Sequence, residues 1–185
     1  MITQVRFEPT LFVFLGTSSG QVGWRLKELL QRVYGPVPIL RYLWLDADST
    51  QDPLAGPWFQ TMERAELTGF NADDVLASLS AYPSIREWWP RDSRLKPGSI
   101  QRGAGQIRLC GRLSLFRMYN ERDGGPALVD KLRAAIEALQ EIANIDATER
   151  MSTAERRYVV ERGSVRVYLV FSTCGGTGSS IAFDV

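Results

Sequence analysis

The sequence contains no histidine and only two cysteines, Cys110 and Cys174. The missing histidine excludes catalysis by a Ser-His-Asp or Cys-His arrangement within this chain, and so few cysteines indicate neither a zinc site nor a disulfide framework. The chain also lacks a large net charge, because its 22 basic and 21 acidic residues give a formal net charge of only +1. The chain as a whole therefore does not attract nucleic acid or anionic lipid, and an anion would have to be bound by local geometry.

Long apolar runs are also missing. No segment approaches the 18 uninterrupted apolar residues of a membrane span, and the N-terminal MITQVRFEPT lacks the basic and apolar regions of a signal peptide. We therefore expect a cytoplasmic protein without a membrane span. The length of 185 residues and the hydrophobic content of 44% suit a single domain with its own core.

The first motif that is present reads as strand, loop and helix. Leu11–Leu15 (LFVFL) is wholly apolar and predicts a buried strand, and residues 16–23 (GTSSGQVG) follow as a loop rich in small residues. Apolar residues recur at helical spacing from Val22 to Val33, and Ile39–Leu45 predicts a second strand. These elements form a βαβ unit, for which a right-handed crossover is expected.

Two carboxylates, Asp46 and Asp48, follow the second strand directly. The carboxyl end of a parallel strand is the place where open α/β sheets bind ligands. Oxygen ligands there suit Mg²⁺, held mostly through water and bridged to phosphate oxygens. The alternative interpretation of the pair is a capped turn.

A third motif spans Val165–Ser180 (VRVYLVFSTCGGTGSS). The apolar run Val165–Phe171 predicts a strand buried on both faces of a parallel sheet. The glycines that follow lack Cβ atoms, so their N–H groups can form a nest that binds phosphate. A helix predicted to start at Ile181 would turn its positive end to the same anion. A flexible loop is the alternative.

A further glycine-rich segment, Ser99–Arg112 (SIQRGAGQIRLCGR), is predicted to be a loop. It contains Gly103-Ala104-Gly105-Gln106, and Arg102 and Arg108 beside them are candidates to lend positive charge to a polyphosphate. Surface arginines without such a role are nevertheless commoner.

Other elements are predicted from periodicity alone. Four further helical segments are expected: Phe59–Leu67, Ala72–Ala81 with Asn71 as its cap, a segment from Leu113 to a break at Asp123–Pro126, and an amphipathic helix over Leu128–Ala143. Tyr158–Glu161 is predicted to form a hairpin with the run Val165–Phe171.

Four of these motifs carry a resemblance to a known family. The segment Cys174–Ser180 (CGGTGSS) resembles the signature GGGTG(S/T)G of the tubulin/FtsZ superfamily, with five consecutive matches at Gly175–Ser179. Gly16-x-x-x-x-Gln21-Val22-Gly23 is similar to the family's first phosphate loop, GxxxxQIG. The run from Gly103 to Arg112 resembles the GAGANPEIGR of FtsZ, and Asp46-x-Asp48 is similar to the acidic pair near the metal.

The resemblance implies a fold, ligands and an assembly. The fold would be α/β, a three-layer, mainly parallel Rossmann-like sheet with helices on both faces. The ligands would be GTP or GDP with Mg²⁺, and the partners would be copies of the chain in head-to-tail protofilaments. The implied nucleotide-binding residues are Gly16, Thr17, Ser18, Gln21, Ala104, Gly105, Gln106, Gly175, Gly176, Thr177, Gly178 and Ser179, and the implied metal ligands are Asp46 and Asp48.

One departure from the family concerns the end of the sequence. The sequence ends at Val185, whereas the family's base-binding residues and water-activating acidic loop lie further along the chain. We therefore assign no catalytic residue and expect residues 1–185 to be a single nucleotide-binding domain, incomplete at its C-terminus. Hydrolysis of GTP would be completed by elements beyond residue 185, and the truncated sheet would have an uncovered edge.

Two alternative functions remain open from the sequence. A Rossmann-type dinucleotide or nucleotide-sugar enzyme shares the first strand, loop and helix, although Ser18 stands where the GxGxxG pattern has its second glycine. A non-catalytic interaction module that has lost its ligand would keep the same fold. Binding of NADH favours the first alternative, and absence of any nucleotide binding favours the second.

Overall fold

A computed structural model describes residues 2–48, 59–90, 95, 97–100, 103–105, 107–119 and 127–185. The strands are β1 (Thr3–Phe7), β2 (Thr10–Leu15), β3 (Leu40–Asp46), β4 (Arg64–Glu66), β5 (Phe70–Asn71), β6 (Ser99–Ile100), β7 (Arg156–Val160) and β8 (Arg166–Phe171). The helices are α1 (Thr17–Tyr34), α2 (Ala72–Ala77), α3 (Pro83–Arg86), α4 (Arg108–Met118), α5 (Leu128–Gln140), α6 (Ile142–Arg150) and α7 (Gly178–Ile181), with 3₁₀ turns at Thr61–Glu63 and Leu79–Ala81.

The central sheet has four parallel strands in the order β4-β3-β2-β8. From β2 the chain crosses to β3 on one side and later returns to β8 on the other, so β2 and β8 flank a topological switch point. Leu15, Leu45 and Phe171 are in register at the ends of β2, β3 and β8. We call this side of the sheet the carboxyl edge. The predicted mainly parallel α/β fold is confirmed.

Helices cover both faces of the central sheet. On one face, Phe14 and Trp44 are buried against α1. On the other face, Val13 and Leu43 share a core with Leu113 of α4 and with α5. The three layers follow from the alternation of side chains along each strand, since both sets of alternating residues are apolar.

The predicted hairpin between Tyr158–Glu161 and the following apolar run is wrong. β7 pairs in parallel with β1, and β8 pairs in parallel with β2. The ring of Tyr158 contacts Phe7 and Tyr34, with ring centroids 5.1 and 6.5 Å away. These aromatic contacts join β7 to the N-terminal strand β1, a strand that was not predicted from the sequence.

The prediction that β8 is buried on both faces is also wrong. Within the described part of the chain β8 pairs only with β2, and Val167, Tyr168 and Leu169 are 51%, 43% and 41% exposed. Apolar composition indicates a strand, but it does not distinguish a central position from an edge. Within the described residues, β8 is thus an edge strand of the central sheet.

One of the predicted helices does not form, and the others differ from the observed helices in their bounds. The expected helix Phe59–Leu67 is instead a 3₁₀ turn followed by β4, whereas Asn71 caps α2 as predicted, its Oδ1 accepting a hydrogen bond of 3.0 Å from the N–H of Asp73. The amphipathic segment Leu128–Ala143 is divided at Glu141 into α5 and α6. The predicted break at Asp123–Pro126 lies outside the described residues.

Among the helices that are described, none is long and apolar enough to cross a membrane.

Candidate functional site

The turn between β2 and α1 is built on Gly16. Its φ of +88° is in the left-handed region that favours glycine, and its N–H donates to the carbonyl of Leu45 at 2.8 Å. Its carbonyl accepts from Trp44 Nε1 at 3.2 Å and from Ser19 Oγ at 2.7 Å. These bonds fix the start of α1 to the end of β3.

Three candidate residues lie in the first two turns of α1 instead of a loop. Thr17 is the first residue of the helix, and Ser18 and Gln21 follow it with exposed side chains. The predicted loop over residues 16–23 is therefore wrong in extent. The helix starts earlier than predicted because Gly16 alone forms the turn between β2 and α1.

The carboxylate of Asp46 is buried at the end of β3, where it is 4% exposed. Thr17 Oγ1 donates to its Oδ2 at 2.7 Å, and the N–H of Asp48 donates to its Oδ1 at 3.3 Å. Burial raises the pKa of Asp46 to about 6, although the hydrogen bonds from Thr17 and the backbone oppose that rise. No basic side chain in the described ranges forms an ion pair with it. A buried carboxylate in this state is suited to a cation.

The glycine-rich loop that follows β8 packs against the turn at Gly16. A Cβ at Gly16 would lie 3.3 Å from the backbone nitrogen of Gly178, and a Cβ at Gly178 would lie 2.5 Å from the carbonyl oxygen of Leu15. Thr177 is buried, and its Cβ would lie 3.6 Å from a Cβ at Gly16. Glycine at 178 is therefore required for the close approach of this loop to the end of β2.

The open part of the same loop lies at its start. Cys174 is exposed, and a Cβ at Gly175 would meet no heavy atom within 4 Å. Gly176 is buried, and the hydroxyl of Ser179 donates to the carbonyl of Gly175. The accessible backbone of the loop is thus at Gly175.

The third segment, Gly103–Gly105, lies beside the acidic pair. Gly103 has φ of +86°, its N–H donates to the carbonyl of Ala47 at 3.0 Å, and its Cβ would lie 3.4 Å from Cβ of Asp48. Ala104 is buried and Gly105 is exposed. Gln106 and Arg102 fall outside the described residues.

Helix α4 connects this third segment to the glycine-rich loop. The predicted loop up to Arg112 is too long, because α4 starts at Arg108. A Cβ at Gly111 would lie 2.1 Å from Ser180 Oγ and 2.4 Å from the carbonyl oxygen of Gly176. Arg108 Nη2 donates to the carbonyl of Thr173 at 3.3 Å. The three glycine-containing segments therefore meet at the carboxyl edge.

The N-termini of α1 and α4 both lie at this edge and share an electrostatic feature. Neither has a side-chain cap or an acidic residue in its first turn. Helices α3 and α6 also lack both, whereas α2 has the Asn71 cap followed by Asp73 and Asp74. The first N–H groups of α1 and α4 and the positive ends of their dipoles are thus not neutralised by such side chains, which suits an anion.

Two features of the site were missed from the sequence. The first is the hydrogen bond from the Thr17 hydroxyl to Asp46, and the second is the close contact of Gly111 in α4 with the glycine-rich loop. The first could have been found, because a residue that follows one parallel strand lies beside the last residue of its neighbour. The second depends on the angle at which α4 crosses α7, which no local pattern reports.

The fold and the site together define a parallel α/β protein with a candidate anion-binding edge. A family model described as "Tubulin like" matches residues 11–185. The chain therefore belongs to the tubulin-like family, and the predicted resemblance is confirmed at that level. No curated protein and no solved structure matches the chain.

Proposed function

We propose that this chain binds GTP and GDP, with the phosphates at the carboxyl edge. The observation that carries the proposal is the convergence there of the α1 and α4 N-termini, both without acidic caps, on a glycine-rich loop. Such an arrangement favours a polyphosphate. The choice of guanine rests on membership of the tubulin-like family.

The candidate residues divide by position. Gly16 forms the turn before α1, Thr17 and Ser18 offer the first N–H groups of that helix, and Gly175 to Ser179 form the loop opposite. Ala104, Gly105 and Gln106 are proposed to close the third side, and Gln21 is proposed to lie near the base. Residues 1–185 would act as one nucleotide-binding domain.

Asp46 and Asp48 fit a magnesium ion that keeps most of its water. Two carboxylates at one strand end, one of them buried without a basic partner among the described residues, provide hard oxygen ligands. The bound ion would supply positive charge to the phosphates. Thr17 positions the Asp46 carboxylate through its 2.7 Å hydrogen bond.

We further propose that the chain takes part in head-to-tail filaments in the bacterial cytoplasm. Family membership supports this proposal. Sedimentation of the chain with GTP and Mg²⁺, compared with GDP, tests it: pelleting only with GTP supports it, and a purely monomeric sample with either nucleotide contradicts it. We assign no catalytic residue for hydrolysis.

The variant Gly175→Val tests the binding proposal. Gly175 does not have a left-handed φ and has open space beside it, so the chain can fold around the new side chain, which occupies the space a phosphate needs. Calorimetric titration with GTP and Mg²⁺ is expected to show affinity at least about tenfold lower than in the unchanged chain, equivalent to about 1.4 kcal/mol.

Ser164→Val is the matched control, because Ser164 is exposed before β8 at the opposite end of the strand. Its GTP affinity should equal that of the unchanged chain. Equal GTP affinity for Gly175→Val and the control would refute the site. Binding of NADH without GTP would favour a dinucleotide enzyme, and heat signals absent for every nucleotide would favour an interaction module.

A further inference from the structure

We propose that Arg112 and Asp184 form a positioning pair that holds the glycine-rich loop in shape for the nucleotide. The inference rests on the proposed function, because the loop is the proposed phosphate site. It concerns two residues to which the sequence analysis gave no role as ligands.

The pair has a defined geometry. Arg112 Nε donates to Asp184 Oδ2 at 2.9 Å, and Nη2 donates to Oδ1 at 2.8 Å. The guanidinium carbon lies 4.6 Å from the ring centroid of Trp88 and 5.3 Å from that of Phe116. Two hydrogen bonds in the plane of the guanidinium and two aromatic rings beside it fix its orientation.

The two residues lie on the two elements that flank the loop. Arg112 is in α4, whereas Asp184 follows α7, which begins within the loop at Gly178. The N–H of Asp184 donates to the carbonyl of Ile181 at 2.9 Å, so Asp184 is attached to the end of α7. The ion pair therefore joins α7 to α4.

Helix α4 thus contacts the loop on both sides of its glycines. Arg108 bonds the carbonyl of Thr173 before them, and Arg112 bonds Asp184 after them. Between these contacts Gly111 lies against Gly176. A glycine-rich segment loses more backbone entropy than any other when it is ordered, and contacts that order it before binding lower the cost of taking up a ligand.

The same geometry argues against Arg112 as a phosphate ligand. Its guanidinium is already neutralised by a bidentate carboxylate. Arg112 therefore affects nucleotide binding by holding the glycine-rich loop in place and not by placing its own charge on the phosphates. Its effect on a nucleotide should therefore depend on the presence of Asp184.

A double-mutant cycle tests this dependence. We expect Arg112→Gln and Asp184→Asn each to weaken GTP binding about tenfold, and the double variant to be no weaker than either single variant. Unchanged affinity in the folded single variants, or losses that add in the double variant, would overturn the pair. Arg112→Lys keeps the positive charge but not the planar guanidinium, so we expect it to lose less GTP affinity than Arg112→Gln. It replaces Arg112→Gln in the cycle if that variant does not fold.

Hydrogen exchange of the nucleotide-free chain separates positioning from general stability. We expect the amides of residues 173–178 to exchange about tenfold faster in both single variants, while those of β3 keep the rate of the unchanged chain. Equal acceleration in both regions, or none in the loop, would contradict the proposal. This measurement needs no nucleotide, so it still tests the pair if GTP does not bind.

Arg162→Gln is the control for both measurements. Arg162 also pairs with carboxylates, Asp146 at 3.3 Å and Glu149 at 3.4 Å, but it lies before β8 and away from the carboxyl edge. Its GTP affinity and loop exchange should match those of the unchanged chain.

Discussion

Asp46 illustrates how a single residue couples the fold to the candidate site. Its carboxylate is part of the buried strand β3, yet it also faces Thr17 at the start of α1. Keeping a carboxylate there without a basic partner among the described residues costs free energy in the metal-free protein, as its raised pKa indicates. A cation at this position would offset that cost.

This cost predicts a pH dependence of stability. The pKa of Asp46 is raised from 3.8 to about 6 in the folded chain. Because the pKa is higher in the folded chain, Asp46 holds its proton more tightly there than in the unfolded chain. This contribution to the free energy of unfolding is present in full below about pH 4 and is lost as the pH rises through 6, a change of about 3 kcal/mol. Asp46→Asn does not titrate, so its stability relative to the unchanged chain should rise by about that amount from pH 4 to 7.

Urea unfolding of both chains across this range, in EDTA, measures the difference in the free energy of unfolding. A difference that stays constant with pH would contradict the burial of an unpaired carboxylate at this position.

The residue types at the site were predictable, but their partners were not. Asp46, Thr17 and Gly178 were all chosen as candidates from motif and strand position. The hydrogen bond between Thr17 and Asp46 and the close contact of Gly178 with Leu15 depend on which strands are neighbours. That order is fixed by tertiary packing and not by local sequence.

At the scale of elements, α1 owes its position to two glycines on the face that packs on the sheet. A Cβ at Gly20 would lie 2.4 Å from Trp44 Nε1, and a Cβ at Gly23 would lie 2.6 Å from Phe14 Cδ2. Phe14 and Trp44 are themselves buried and have little room to move. The helix therefore approaches the sheet as closely as its backbone allows.

Gly23→Ala should destabilise the protein despite the better helix propensity of alanine. The higher helix propensity of alanine alone would raise the free energy of unfolding by about 1 kcal/mol. Overpacking of the added methyl group against a buried ring would lower it by about 1 to 3 kcal/mol. We expect the free energy of unfolding to fall by about 1 kcal/mol in urea titration. Gln31→Ala, exposed on the same helix, should change it by less than about 0.5 kcal/mol. A Gly23→Ala chain more stable than the unchanged one would contradict this close packing.

Predictions of elements succeeded where the pattern was long or the cap chemistry was specific. β2, β3, α1 and the Asn71 cap were predicted because apolar runs, helical spacing and an Asx cap are local signals. β4 was missed because three residues carry too little pattern, and β8 was misplaced because exposure depends on its neighbours.

At the scale of the whole molecule, the parallel order β4-β3-β2-β8 brings distant segments to one edge. Gly16 and Gly178 are 162 positions apart in sequence, yet the topological switch between β2 and β8 places them in contact. The general fold could be predicted because strand, loop and helix alternate at the start of the chain. The additional small sheets and the crossing of α4 over α7 could not, since they depend on long-range packing.

We propose that three separate segments contact one nucleoside triphosphate. Hydrogen exchange of residues 1–185 with and without GTP and Mg²⁺ is the measurement that tests this proposal. We expect slower exchange at residues 16–19, 103–105 and 174–178 together, with the exchange of β1 and β7 unchanged. Protection confined to a single segment, or located away from the carboxyl edge, would contradict it.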